Sequence, residues 1–274
     1  MAEIPPPNFS IDLSGQVAMV TGATSGLGYR FAQVLASCGA SVAITGRRAE
    51  RLDALASEIR EAGGRCEPVV MDMTDREQVR AGLQQAEDAL GTVSILINNA
   101  GIPDAQLATR MEDELFDRVM DTNLTGTFLC CKFVGKEMAR KKKGRIINIS
   151  STGGLVAATH QSSYCASKAA VNAYGEILIH ELEKTSLRVM LVCPPMVNTP
   201  LVEQGADNRP PSVQYALDRR DSQMLTPAFM IDAIEKGLDK GVRILRPGNA
   251  RVMVWLRRHF PWLVWKIIKL ANRD

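Results

Sequence analysis

Residues 17–28, VAMVTGATSGLG, pass from four consecutive apolar residues straight into a glycine cluster. A short apolar run closed by turn residues reads as a strand buried on both faces, and residues 29–37 after it have the spacing of a helix. The same alternation continues along the chain. SVAIT (41–45), CEPVVMD (66–72), SILINNA (94–100), GRIINIS (144–150), LRVMLVCP (187–194) and VRILRP (242–247) read as further buried strands. Between them, 49–62, 76–90, 112–140 and 164–185 carry the 3.6-residue period of helices. This pattern predicts the α/β class, a single doubly wound parallel sheet with helices on both faces and right-handed crossovers. Sheets of that kind bind ligands beyond the carboxyl ends of their strands, which directs attention to the residues that follow each run.

The 274 residues suffice for one full core, and the chain reads as a single domain, 1–274. Hydrophobic residues at 46%, charged residues at 23% and a net charge of +3 are ordinary for a globular protein and imply no nucleic-acid partner. The charge is unevenly placed, however: 241–274 carries +7 and the first 240 residues carry −4. Six cysteines, Cys38, Cys66, Cys130, Cys131, Cys165 and Cys193, form no C-x-x-C pair and lie in apolar surroundings, as expected of reduced thiols in a cytoplasmic setting. The N-terminal stretch MAEIPPPNFSIDLSG lacks the basic and apolar regions of a signal peptide, and no apolar run reaches the ~18 residues of a membrane span. His160, His180 and His259 are scattered, so no metal site is expected.

The glycine cluster has a chemical reading. Gly22 permits a tight turn, Gly26 lets backbone approach a pyrophosphate, and Gly28 allows close helix packing. With Thr24, Ser25 and Leu27 they form a loop whose free N–H groups, at a helix N-terminus, suit an anion. Placed after the first strand, the loop points to a dinucleotide. The second strand ends AITGRR, with Gly46 where an acid would bond the ribose of NAD, followed by Arg47 and Arg48. Two guanidinium groups suit a 2′-phosphate, so NADP(H) is expected in preference to NAD(H). The other reading of the arginines is a solvated strand end.

The stretch SSYCASKAAVNAYGEILIHEL (162–182) reads as an amphipathic helix that sets Tyr164 and Lys168 one turn apart on the same face. Taken alone, the pair could be a ring packed on an aliphatic stem. With TGATSGLG, MDMTD at Asp72, NNAG at 98–101, DTNLTG at Asn123, NISSTGG at Ser151 and YCASK in this order, the chain resembles the classical short-chain dehydrogenases/reductases from about residue 13 to 199. The resemblance implies a Rossmann-type fold and a catalytic tetrad of Asn123, Ser151, Tyr164 and Lys168. Ser151, thirteen residues before Tyr164, is in the family register, and Ser150 is one residue out of it.

In that family, Tyr164 would hand its proton to a substrate carbonyl oxygen as hydride arrives, with Ser151 polarising the carbonyl. Lys168 would lower the phenol pKa from about 10 and bind the nicotinamide ribose. Asn123 would hold a water that relays protons to Lys168. The resemblance also adds Asp72 at the adenine with Met73 beside it, Asn99 near the adenosine ribose, and Pro194, Val197 and Thr199 around the carboxamide. Pro195 departs from the family's Pro-Gly, fixing φ and removing an N–H just before the segment that covers the nicotinamide.

The substrate side is less specific. EQGADNRPPSVQ (203–214) is a polar loop within an expected substrate lid at 200–225. PPMVNTP (194–200) resembles the branch that reduces long-chain keto lipids. In the tail, 249–274, Pro261 can open a helix with Leu263, Ile267 and Leu270 along one side, near three tryptophans and several basic residues. That composition suits either a helix lying at a membrane surface, or one packed on a neighbouring subunit or over the cleft. The cluster RKKKGR (140–145) ends a helix and needs no partner.

The expected activity is interconversion of a ketone and a secondary alcohol on a hydrophobic, long-chain, lipid-like substrate. A 3-oxoacyl-thioester reductase is the first rival, and a non-catalytic nucleotide-binding regulator or scaffold the second. A homo-oligomer, dimer or tetramer, is implied by the resemblance.

Overall fold

The computed structural model describes residues 11–204 and 210–272. Its centre is a parallel seven-stranded sheet of order β3-β2-β1-β4-β5-β6-β7. The strands are β1 (Val17–Val20), β2 (Ser41–Gly46), β3 (Arg65–Val70), β4 (Ile95–Asn98), β5 (Gly144–Ile149), β6 (Leu187–Val192) and β7 (Ile244–Leu245). The helices in chain order are α1 (Gly26–Ser37), α2 (Ala49–Glu61), α3 (Arg76–Leu90), α4 (Asp113–Met120), α5 (Gly126–Lys141) and α6 (Ser162–Glu181). They continue with α7 (Pro211–Asp218), α8 (Arg220–Gln223), α9 (Pro227–Asp239), α10 (Ala250–His259) and α11 (Pro261–Ala271).

The continuous apolar runs of the central strands are explained by two cores, one on each face of the sheet. Ala18 and Val20 of β1 point to the core shared with Phe31 of α1, Leu52 of α2 and Ile234 of α9. Met19, between them, points to the other core, with Leu83 of α3, Val134 of α5 and Val171 of α6. Successive side chains of a strand alternate between faces, so a strand covered on both sides must be apolar throughout.

The structure corrects several boundaries. β3 lies at the sheet edge and is only partly covered, with Val70 exposed, because an edge strand has a neighbour on one side alone. β7, at the other edge, shrinks to two residues. The helix read over 112–140 is interrupted by a π turn, Asp121–Thr125, between α4 and α5. Residues 203–214 are not wholly loop, since α7 starts at Pro211; residues 205–209 lie outside the described ones. The buried face of α6 is mixed: Val171 and Ile179 join the apolar core, while Ser163, Ser167, Lys168, Asn172 and Gly175 are polar or small. In the tail, the inward residue of α11 is Val264, whereas Ile267 and Leu270 are exposed. No helix among the described residues is long and apolar enough to cross a membrane.

Candidate active site

The carboxyl ends of β1, β4, β5 and β6 converge on one region. Thr21 follows β1, and its hydroxyl accepts hydrogen bonds from the backbone N–H groups of Asn99 and Ala100, both at 3.0 Å. The Asn99 amide donates back to the carbonyls of Thr21 (3.0 Å) and Gly22 (3.3 Å). Asn99, expected near a ribose, therefore braces the glycine turn with its Nδ2 group.

That turn requires its glycines. Gly22 has φ +68° and Gly26 φ +59°, a region where a Cβ is strained. A Cβ on Gly28 would lie 2.4 Å from both Asn99 Nδ2 and the Gly22 carbonyl oxygen, so contact between turn and helix depends on its absence. Ser25, at the N-cap of α1, makes no side-chain cap bond, which leaves the first N–H groups of a 12-residue helix available to an anion. These features fit a dinucleotide. Leu27 is buried in the core, so only its backbone faces the loop.

The end of β2 borders the same loop. A Cβ on Gly46 would meet Thr24 Cγ2 at 2.6 Å, so an acidic side chain there would collide with the loop. Arg48 donates to Thr24 Oγ1 from Nε (3.1 Å) and from Nη2, and to Ser25 Oγ at 3.2 Å. Arg47 lies 3.8 Å from Asp72 Oδ2 and stays exposed. Asp72 also accepts from the N–H and hydroxyl of Thr74, at 2.9 and 3.0 Å, which fixes its position after β3. Met73 has a buried side chain and crowds Gly126, so it serves the core.

The four tetrad residues are brought together. A Cβ on Gly153 would lie 3.3 Å from both Ser151 Oγ and Tyr164 Cε1, and one on Gly101 would lie 3.3 Å from Asn123 Oδ1 and 3.4 Å from Lys168 Nζ. Two glycines thus give room for two pairs of polar side chains. Ser151 Oγ accepts from Gly153 N at 2.9 Å, holding the hydroxyl in the turn after β5. Asn123 sits in the π turn, fully buried, accepting from Ile102 N (2.8 Å) and donating to Ile102 O (3.1 Å) and Ser167 Oγ (3.0 Å). Single π turns inside helices recur at functional sites because they re-aim one side chain. Lys168 Nζ donates to the Ile149 carbonyl at 3.0 Å and lies 5.9 Å from the Tyr164 ring centroid.

Burial dominates the electrostatics of this pair. Burial pushes the Tyr164 phenol above its ordinary value; the Ser151 hydroxyl opposes this, and Cys165 and Asp104 add to it. Burial also lowers Lys168 to about 8. Desolvation is the largest cause for both groups.

Asp104 is a residue that no sequence pattern singled out. It is buried, and its Oδ2 accepts from Ser163 N (2.9 Å) and Ser163 Oγ (2.7 Å) at the start of α6. Its only sequence signal is an acidic residue among apolar neighbours shortly after NNAG.

The segment after β6 covers the glycine loop. Pro194 O accepts from Thr152 N at 2.8 Å, Val197 is paired with Leu225, and Asn198 N donates to Leu225 O at 2.8 Å. Thr199 follows, and a Cβ on Gly26 would touch its Cβ at 3.0 Å. Despite Pro195 in place of glycine, the segment crosses the loop, tied down by Leu225 rather than by the missing N–H.

Comparisons with known proteins agree with this geometry. The family model described as short chain dehydrogenase matches residues 16–210. A granaticin polyketide synthase putative ketoacyl reductase from Streptomyces violaceoruber is 43% identical over 190 residues, covering 69% of this chain and 70% of that protein. The 3-oxoacyl-[acyl-carrier-protein] reductase of Thermotoga maritima is 34% identical over 192 residues, covering 70% and 78%. Among solved structures, a short chain dehydrogenase/reductase from Burkholderia phymatum in complex with NAD superposes with a TM-score of 0.82 at 25% identity, over 92% of this chain and 96% of that one. An actinorhodin polyketide ketoreductase with NADPH superposes with a TM-score of 0.78 at 32% identity, over 86% and 97%. The chain belongs to the classical short-chain dehydrogenase/reductase family and is an NAD(P)-dependent oxidoreductase.

Proposed function

We propose that this oxidoreductase uses NADP(H) to reduce a ketone on a hydrophobic, long-chain substrate to a secondary alcohol. The observation that carries the reaction is the convergence of Ser151 and Tyr164 on Gly153, beside Lys168 and Asn123 at Gly101. When bound, the nicotinamide supplies the hydride. Ser151 polarises the carbonyl, and Tyr164, kept protonated by burial, gives its proton to the carbonyl oxygen. Lys168 would bind the nicotinamide ribose hydroxyls, and Asn123 would hold a water that relays protons to Lys168. Gly22, Thr24, Ser25, Gly26, Gly28 and the Leu27 backbone hold the pyrophosphate; Asp72, Asn99 and the Met73 backbone border the adenosine; and Pro194, Val197 and Thr199 hold the carboxamide. A phenol held protonated suits the reductive direction at neutral pH.

The preference for NADP(H) is supported by Arg47 and Arg48 flanking the loop and by the lack of room for an acid at Gly46. The segment 200–225 acts as the substrate lid of a single catalytic domain. The exposed Phe116, Phe128 and Ile177 on α4, α5 and α6 are apolar surface suited to a homo-oligomer contact. The tail at 249–274 serves peripheral contact with a membrane from the cytoplasmic side.

A second reading, a 3-oxoacyl-thioester reductase, is supported by the ketoacyl reductases among the relatives. The regulator or scaffold reading gives no reason for the four tetrad residues to lie in reach of one another. The test is NADPH oxidation at saturating cofactor with long-chain free ketones beside acetoacetyl thioesters. Turnover confined to thioesters selects the second reading, and silence on both overturns the reductase assignment.

A further inference from the structure

All three tryptophans of the chain, Trp255, Trp262 and Trp265, lie in α10 and α11, each more than half exposed. Val252, Ile267 and Leu270 of the same two helices are also exposed, as is Phe260 at the junction between them. A monomer rarely presents so many large apolar groups together without a partner. Around them stand Arg251, Arg257, Arg258, Lys266 and Lys269, with no Asp or Glu anywhere in 250–272. The Arg257 guanidinium lies 5.9 Å from the Trp265 ring centroid, an arrangement in which a cation stays beside the ring instead of crossing the apolar surface.

Charge decides between occupants. A second copy meeting this surface about a two-fold axis would bring the same basic side chains against their own kind. An anionic bilayer offers apolar depth for the tryptophans and negative headgroups for the basic rim. We propose that the α10–α11 pair is a seat for an anionic phospholipid surface, and that it governs the segment over the substrate cleft through α7.

The second part rests on reading the described residues 200–204 and 210–225 as part of the lid, and on a chain of contacts. Asn272, just after α11, accepts at Oδ1 from the Ser212 hydroxyl (2.8 Å) and the Ser212 N–H (3.4 Å) of α7. Ala216 and Leu217 of α7 pack with Met224 and Val202 in a small separate core. Val202 belongs to the short turn Pro200–Glu203, directly after Thr199 on the glycine loop. Movement of the tail at a lipid surface therefore reaches the cleft through two packed elements.

Because the tryptophans are all in the seat, their emission reports on it. Full-length protein is titrated with phosphatidylcholine vesicles, with and without phosphatidylglycerol. The expected result is a blue shift and co-sedimentation with the phosphatidylglycerol vesicles alone, weakening as salt rises. Replacing Trp262→Ser and Trp265→Ser together should weaken vesicle binding by on the order of tenfold or more, leaving turnover of a short soluble ketone unchanged. No response to either vesicle at low salt overturns the seat. So does a fall in solution mass in the double variant, which would mark a subunit contact. Asn272→Ala should keep vesicle binding but lose at least half of the turnover of a vesicle-borne ketone; full turnover removes the coupling. If no ketone is reduced in any form while the tryptophans still shift, the catalytic reading fails and the lipid seat stands.

Discussion

Asp104 accepts two hydrogen bonds from Ser163, the residue immediately before Tyr164, across 59 positions of sequence. Gln161, the local N-cap of α6, makes no side-chain cap bond, so the Asp104 carboxylate does that work from another loop. An anion there also complements the positive end of the helix that carries Tyr164 and Lys168. We read Asp104 as a positioning residue; its carboxylate also adds to the upward displacement of the Tyr164 phenol, which burial dominates.

Two substitutions separate these roles. Asp104→Ala should cost about 1 kcal/mol of stability, in line with lost helix caps, and reduce kcat on the order of tenfold. Asp104→Asn keeps an acceptor but removes the charge, so the alkaline rise of alcohol oxidation should move to lower pH with little change in Tm. An unmoved pH profile in Asp104→Asn would confine the residue to structure.

Tyr164→Phe removes the proposed proton donor while keeping the ring. Turnover should fall by about 10³-fold or more, with NADPH affinity retained, as measured by cofactor fluorescence beside steady-state rates. Retention of a tenth of the activity would mean that another group supplies the proton.

The arginines are expected to differ. Arg48 touches Thr24 and Ser25 of the loop, and Arg47 pairs loosely with Asp72. Arg48→Ala should weaken NADPH on the order of tenfold or more and NADH much less, because a 2′-phosphate loses a charge-assisted partner. Arg47→Ala should show a smaller effect of the same sign. Equal losses for the two cofactors in direct titrations would give both residues a structural part only.

The pH dependence follows from two opposite displacements. Lys168 is lowered to about 8, so its ammonium is lost as pH rises through that value, whereas Tyr164 is raised and keeps its proton. The rate of reduction should therefore fall above about pH 8 because the lysine, not the tyrosine, titrates. Profiles of kcat at saturating NADPH check this, and a rate level to pH 10 would take the Lys168 charge out of the rate.

The strands were legible where both faces are covered, since β1 is apolar at every position and β5 carries Ile146, Ile147 and Ile149, each run closing on turn residues. The edges were harder, because Val70 and the two-residue β7 owe their state to missing neighbours. Residues 121–125 continue the helical period in sequence, and the π turn that buries Asn123 shows only in space. The spacing of Tyr164 and Lys168 told which groups meet; it could not tell that burial would raise the phenol and lower the ammonium. Asp104 escaped for a related reason, as its partner lies on a distant helix and shares no period with it.

The Thr21–Asn99 clasp joins positions 78 apart, and β1 lies between β2 and β4 in the sheet. Ser151, Tyr164 and Thr199 arrive still later in the chain. Closing such long loops is entropically costly and comes late in folding, so a partly folded chain can have native helices and no site. During refolding, recovery of helical circular dichroism should precede recovery of NADPH turnover. Catalysis thereby acts as a stringent reporter that both halves of this sheet have docked.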